Sequence, residues 1–241
     1  MWLGSSPIFI GYKPLTYLTH PSPNFGPRRM GFVPSLIILH YTAIPDTTAA
    51  CRILRNSENQ VSAHYLVSPD GEVMSLVTED MRAWHAGVSR WGSVTDVNSA
   101  SIGIELSNDG YSPFSAPLMD SLCVLIAGIM ARWDIPAHRV IGHSDIAPNR
   151  KIDPGARFDW RRLSLLGLAV WPVRVDPAPC IQFMSLMRRV GFTATDDLDL
   201  ALQSFRLHYR PRSTGPLCAD DMALLTDLAY RFPVDVHPST T

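Results

Sequence analysis

Hydrophobic positions along the chain fall into short blocks with two different periods. Residues 36–39, Leu-Ile-Ile-Leu, form a continuous apolar run after Pro34, the pattern of a buried strand whose far end presents His40 and Tyr41. Residues 62–67 and 72–77 flank Ser-Pro-Asp-Gly, where Asp70 and Gly71 suit a tight turn, so the pair is predicted to be a hairpin. Residues 101–106, Ser-Ile-Gly-Ile-Glu-Leu, alternate as another strand, with Ile102 and Ile104 on one face and Glu105 on the other. The period then changes. Leu118, Leu122, Leu125, Ile126, Ile129, Met130 and Trp133 recur at helical spacing and predict an amphipathic helix packed on the sheet, ended by Pro136. Residues 139–143 predict a short strand that delivers His143, followed by a loop that returns Asp153. Pro154 biases Asp153 toward an extended conformation, which sets Lys151 and Asp153 on one side of the chain.

Beyond residue 170 the pattern changes again. The proline-rich segment 171–179 predicts a semi-rigid linker. Three short helical stretches follow at 181–190, 198–209 and 220–230, with apolar positions at Leu198, Leu202 and Phe205 and at Leu224, Leu225 and Leu228. A unit of about sixty residues is near the lower limit for a self-sufficient core, so docking on the preceding domain would support it. The expected organisation is an N-terminal extension over 1–22, a main domain over 23–170, the linker over 171–179 and a small three-helix domain over 180–236. The fold class is α/β, a mixed central sheet flanked by helices.

Composition narrows the partners. A net charge of -1 over 241 residues offers no bulk attraction to nucleic acid or to an anionic membrane. The longest apolar run, residues 122–130, is nine residues against the roughly 20 that a membrane-spanning helix needs, so no transmembrane segment and a soluble chain are expected. The first twenty residues lack the basic start, continuous apolar core and small-residue cleavage site of a secretory signal, and no lipobox cysteine follows. Cys51, Cys123, Cys180 and Cys218 are widely spaced with no CxxC pair, which favours buried free thiols over disulfides.

The candidate chemistry sits at the edges of the apolar runs. Two imidazoles and a carboxylate, from His40, His143 and Asp153, can hold one zinc ion while leaving a fourth tetrahedral position open for water, the arrangement of a hydrolytic site. Lys151 shares the loop of His143 and Asp153, and a purely structural loop has little need for that set of titratable groups. Asp145 is a candidate to hold His143 through its second ring nitrogen. His64, preceding the hairpin turn, is expected to pack in the sheet with no catalytic role. Trp84, Trp91 and Tyr111 supply either apolar faces for a sugar or peptide, or core packing.

Five segments carry a resemblance to a known family. His-Tyr-Thr-Ala at 40–43, Ser-Ala-His-Tyr-Leu-Val at 62–67, Trp-His-Ala-Gly at 84–87, Ser-Ile-Gly-Ile-Glu-Leu at 101–106 and Gly-His-Ser-Asp-Ile-Ala-Pro-Asn-Arg-Lys-Ile-Asp-Pro-Gly at 142–155 closely resemble the zinc-dependent N-acetylmuramoyl-L-alanine amidases, relatives of phage lysozyme-type amidases and peptidoglycan recognition proteins. The resemblance implies that His40, His143 and Asp153 are the ligands of one zinc ion per chain. It implies that Glu105 is the acid/base carboxylate, that Lys151 stabilises the reaction's negative charge, and that His85 contacts substrate or an intermediate, with a structural imidazole as the alternative; Trp84 and Tyr41 are further candidates to contact substrate. The implied reaction is hydrolysis of the amide between N-acetylmuramic acid and L-alanine in peptidoglycan or muropeptides. Alternatives are a non-catalytic peptidoglycan-binding protein and a zinc peptidase acting within the stem peptide. Arg-Arg-Val-Gly-Phe at 188–192 and the segment 198–211 are similar to the three-helix peptidoglycan-binding module found behind some of these amidases, or form an ordinary helical appendage. A monomer is expected. The helical unit favours the cell envelope and the missing export signal favours the cytoplasm, with the envelope preferred.

Overall fold

A computed structural model describes residues 15–44 and 46–235. Residues 1–14 of the expected N-terminal extension and residue 236 of the expected helical domain lie outside the described residues. The backbone is organised by a six-stranded mixed sheet in the order β1(Tyr17–Thr19), β5(Val73–Ser75), β4(Tyr65–Val67), β7(Ser101–Leu106), β3(Leu36–Tyr41), β8(Val140–Gly142). Strands β4, β7, β3 and β8 run parallel, and β5 turns back antiparallel to β4 as the predicted hairpin. Gly71, with φ +85°, closes that turn, a conformation that strains a residue carrying a side chain. A second pair, β2(Phe25–Pro27) with β6(Met81–Ala83), is antiparallel.

The side-chain alternation divides the apolar residues between two layers. On one face Ile37, Leu39, Ile102, Ile104 and Leu106 meet α3(Ala116–Trp133) through Leu118, Leu122, Leu125, Ile126 and Ile129, all fully or almost fully buried. Ser115 caps this helix and Asp134 ends it in the left-handed region, two residues ahead of Pro136. The helix is long and apolar enough to cross a bilayer by composition alone. Its contacts with the sheet account for that composition, since each fully buried Leu or Ile contributes about 1.5–3 kcal/mol. On the opposite face Leu36, Ile38 and Ile141 share a core with α6(Phe183–Val190), α7(Leu198–Tyr209) and α8(Ala219–Arg231) through Phe183, Met187, Phe205 and Leu225.

Several expectations change in detail. The first hairpin strand begins at Tyr65 rather than residue 62, because the Ser62 N–H donates to the Trp84 carbonyl and the His64 carbonyl accepts from both Leu76 and Val77, which breaks the regular ladder. The predicted helix over 181–190 starts as a 3₁₀ turn, Cys180–Gln182, before α6. Segment 171–179 has no regular structure and is tied to α8: the Val173 N–H donates to Asp227 and the Ala178 N–H to the Thr226 hydroxyl. All four cysteines are free; Cys51 and Cys123 are buried, whereas Cys180 is exposed and Cys218 half-buried, so burial holds for two of them.

His64 is packed as expected. It is 0 % exposed, its Nδ1 accepts from the Gly103 N–H at 2.9 Å, and its Nε2 donates to the Met81 carbonyl at 3.1 Å. Burial lowers its pKa to about 4, so the native state keeps the ring neutral where an unfolded chain would protonate it near pH 6.5. Its contribution to stability is therefore complete above pH 6.5 and is lost as the pH falls toward 4, by about 3 kcal/mol. Urea unfolding of the metal-free protein between pH 7 and 4 should show a dependence steeper by about one proton in wild type than in His64→Gln. Parallel curves would contradict this assignment.

Candidate metal centre

The centre is assembled at the carboxyl ends of the parallel strands, where open α/β sheets place their ligands. His40 follows the buried run of β3 and Glu105 is its direct neighbour on β7, on the same face as Leu36 and Ile38. His143 comes immediately after β8. It does not end the strand ahead of a loop, as expected, but opens one helical turn, α4(His143–Ile146), because the Asp145 carboxylate accepts from the Gly142 N–H at 2.7 Å and starts the turn. Asp153 then returns to the same point.

Three atoms converge there. His40 Nδ1 lies 2.9 Å from His143 Nδ1, and each nitrogen lies 3.0 Å from Asp153 Oδ2. All three side chains are buried, at 1, 2 and 7 % exposure. The other ring nitrogens decide which form these imidazoles take. His143 Nε2 faces the Ala86 carbonyl at 3.2 Å, and a carbonyl only accepts, so the proton sits on Nε2. On the other side the Ser101 hydroxyl donates to the Val97 carbonyl at 2.5 Å, so its oxygen accepts from His85 Nε2 at 3.2 Å. His85 Nδ1 then accepts from His40 Nε2 at 3.0 Å. Burial, followed by the neighbouring His143, lowers His40 to about 4, so its ring is neutral at pH 7. His40 Nδ1 thus turns a lone pair toward His143 Nδ1 and Asp153 Oδ2. Three donor atoms converge on one point, and two imidazoles with one carboxylate form a donor set suited to a divalent transition metal.

The eight residues proposed from sequence, His40, Tyr41, Trp84, His85, Glu105, His143, Lys151 and Asp153, all line one cavity of about 380 Å³. Glu105 has one carboxyl oxygen sealed from solvent without a hydrogen-bond partner among the described residues. Its burial, and then the charge of Asp153, push its pKa up to about 8 against the opposing pull of Lys151. His85 lies deeper than expected, 9 % exposed with both ring nitrogens engaged, and its ring occupies the space left by Gly103, where a Cβ would approach His85 Cγ to 2.4 Å. Asp145 does not reach the His143 ring; it bonds Gly142 and His208 instead. Trp91 belongs to the core, edge-on to Phe192, and Tyr111 is exposed.

Sequence reasoning missed Ser101, Asn98 and Arg150. The Asn98 side-chain oxygen accepts from the backbone N–H groups of His85 and Ala86, which fixes the Trp-His-Ala-Gly segment under the site. Arg150 donates to the Ala86 and Val88 carbonyls. Its place between His143 and Asp153 was a usable signal; Ser101 and Asn98 gave none, since short polar residues beside a strand are common.

Residues 30–156 match the family model described as N-acetylmuramoyl-L-alanine amidase. The chain is 32% identical over 234 residues to N-acetylmuramoyl-L-alanine amidase AmiD of Escherichia coli (strain K12), covering 83% of this chain and 84% of that protein. It is 34% identical over 159 residues to 1,6-anhydro-N-acetylmuramyl-L-alanine amidase AmpD of Enterobacter cloacae, covering 59% of this chain and 85% of that protein. Among solved structures, the complex of E. coli AmiD with the substrate anhydro-N-acetylmuramic acid-L-Ala-D-gamma-Glu-L-Lys superposes with a TM-score of 0.77 at 30% identity, over 86% of this chain and 93% of that chain. AmpDH3 from Pseudomonas aeruginosa superposes with a TM-score of 0.76 at 28% identity, over 96% of this chain and 99% of that one. With a buried two-histidine, one-aspartate centre on the same mixed sheet, the chain belongs to the N-acetylmuramoyl-L-alanine amidase family.

Proposed function

We propose that this chain is a zinc hydrolase that cleaves the amide between the lactyl group of N-acetylmuramic acid and L-alanine in peptidoglycan or its fragments. The observation that carries the reading is the convergence of His40 Nδ1, His143 Nδ1 and Asp153 Oδ2 on the floor of a cavity that Glu105 and Lys151 also line. These three residues would hold one zinc ion. When bound, zinc lowers the pKa of a coordinated water from ~15.7 to ~7 and polarises a carbonyl.

The residues around the ligands divide the remaining work. Glu105, in the wall of the same cavity, takes a proton from the attacking water and returns it to the departing amine of L-alanine. Lys151 presents a fixed positive charge to the oxygen on which negative charge develops. Trp84 and Tyr41, both half-buried in the cavity wall, offer apolar surface to the sugar or the first peptide unit. His85 acts from beneath, holding His40 in the form that leaves Nδ1 free. The helical unit, through its resemblance to wall-binding modules, favours polymeric peptidoglycan in the cell envelope as the setting, with the chain acting as a monomer.

Glu105→Gln should lower kcat on a muropeptide by about 10²–10⁴ while zinc content stays at that of wild type. Full turnover in that variant would remove Glu105 from the chemistry. Lys151→Ala is expected to reduce kcat by about 10²–10³ with little change in KM, in line with a charge felt mainly in the transition state. A loss confined to KM would make Lys151 a binding residue. Mass spectrometry of the products should find an intact stem peptide with a free L-alanine amino terminus; shortened peptides still attached to sugar would refute the amidase reading.

A further inference from the structure

We infer that helix α7 of the C-terminal unit is a clamp that orients the metal-binding turn α4, with Ser204 and His208 as positioning residues for the ligand His143. This inference rests on the metal reading of the centre.

α4 is only four residues long, and within it His143 must aim one nitrogen at a point shared with two distant residues. A single turn with the Ala147 N–H bonded to the His143 carbonyl has little rigidity of its own. Two buried hydrogen bonds from α7 supply what it lacks. The Ser204 hydroxyl donates to the Ser144 carbonyl at 2.9 Å, and His208 Nδ1 lies 2.8 Å from Asp145 Oδ2. These contacts grip the two residues that directly follow His143, while Ile146 packs in the same core as Ala201, Leu202 and Phe205 of α7.

His208 is itself immobilised. Its ring is stacked between Trp160 at 3.8 Å and Tyr209 at 4.0 Å, and it is 3 % exposed. Asp145 is 1 % exposed and uses the same oxygen for the Gly142 N–H, so one carboxylate joins α7 to the first residue before the turn. The arrangement leaves His208 Nε2 and Asp145 Oδ1 without partners among the described residues. Buried polar atoms left unpaired are costly, and an apolar contact between α7 and α4 would avoid that cost. What the polar pair provides instead is direction, which packing alone supplies poorly. Removing a direct partner of a metal ligand changes metal affinity by about 10–100-fold; Ser204 and His208 act one residue further out, on the two positions that follow the ligand.

The test uses full-length wild type, Ser204→Ala, His208→Ala and His208→Asn. Zinc affinity is measured by competition with a chelator, the cobalt-substituted proteins are compared by their visible spectra, and near-ultraviolet circular dichroism reports the fold. Ser204→Ala and His208→Ala should each weaken zinc binding by about tenfold or more and alter the cobalt bands, while His208→Asn, which retains an N–H donor toward Asp145, recovers most of the affinity. If His208→Ala fails to fold, Ser204→Ala decides. A folded Ser204→Ala with affinity within threefold of wild type and an unchanged cobalt spectrum overturns the clamp. A wild-type chain that takes up no zinc removes the metal reading and this inference together, whereas a wild type that binds zinc no better than its variants removes the inference alone.

Discussion

Two imidazole nitrogens and a carboxylate oxygen, buried and brought within about 3 Å of one another, are the constraint around which this molecule is built. His40 lies far from His143 and Asp153 in sequence, and the fold supplies what holds the three together. The hydrogen-bonded register of β3 with β7 and β8 fixes His40 beside Glu105 and sets the start of α4 one step beyond β8. Below the cluster, the Ala86 carbonyl and the Val97–Ser101–His85 chain claim the outer ring protons. Each layer narrows the same variable, the direction in which the lone pairs point.

How much of this could be read from the chain depended on whether a signal was local. The apolar run before His40 and the alternation around Glu105 place those residues at a strand end and on one face with no tertiary information, because strand periodicity alone decides it. The stripe of α3 was equally legible, since its Leu and Ile positions repeat over eighteen residues. α1(Thr47–Arg55), capped by Asp46 and contributing Ala50 and Leu54 to the cavity wall, was not foreseen: it is short, with three buried positions. β6 and β1 were invisible for a related reason, as strands of three residues formed by pairing with segments far away in sequence.

Side-chain partnerships were the least legible. Asp145 stands two residues from His143, and proximity suggested a bond between them, whereas the carboxylate is drawn to a backbone N–H three residues back and to His208, sixty-three positions along the chain. His85 looked like a cleft residue because its motif lines the cleft in related enzymes; only the glycine at 103 and the hydroxyl at 101 show why its ring can sink beneath the metal ligands. In the same way, helicity beyond residue 180 followed from periodicity, but the merging of those helices with the β3 face into one apolar core did not. The segment 171–179, fastened to α8 by two backbone donors, makes that merger durable.

The most direct measurement is an anomalous-difference diffraction map of zinc-loaded crystals recorded at the zinc absorption edge. A single strong peak within ~2.0–2.2 Å of His40 Nδ1, His143 Nδ1 and Asp153 Oδ2 is the result this account requires. A peak elsewhere, with those three atoms still in mutual contact and no metal between them, would contradict it.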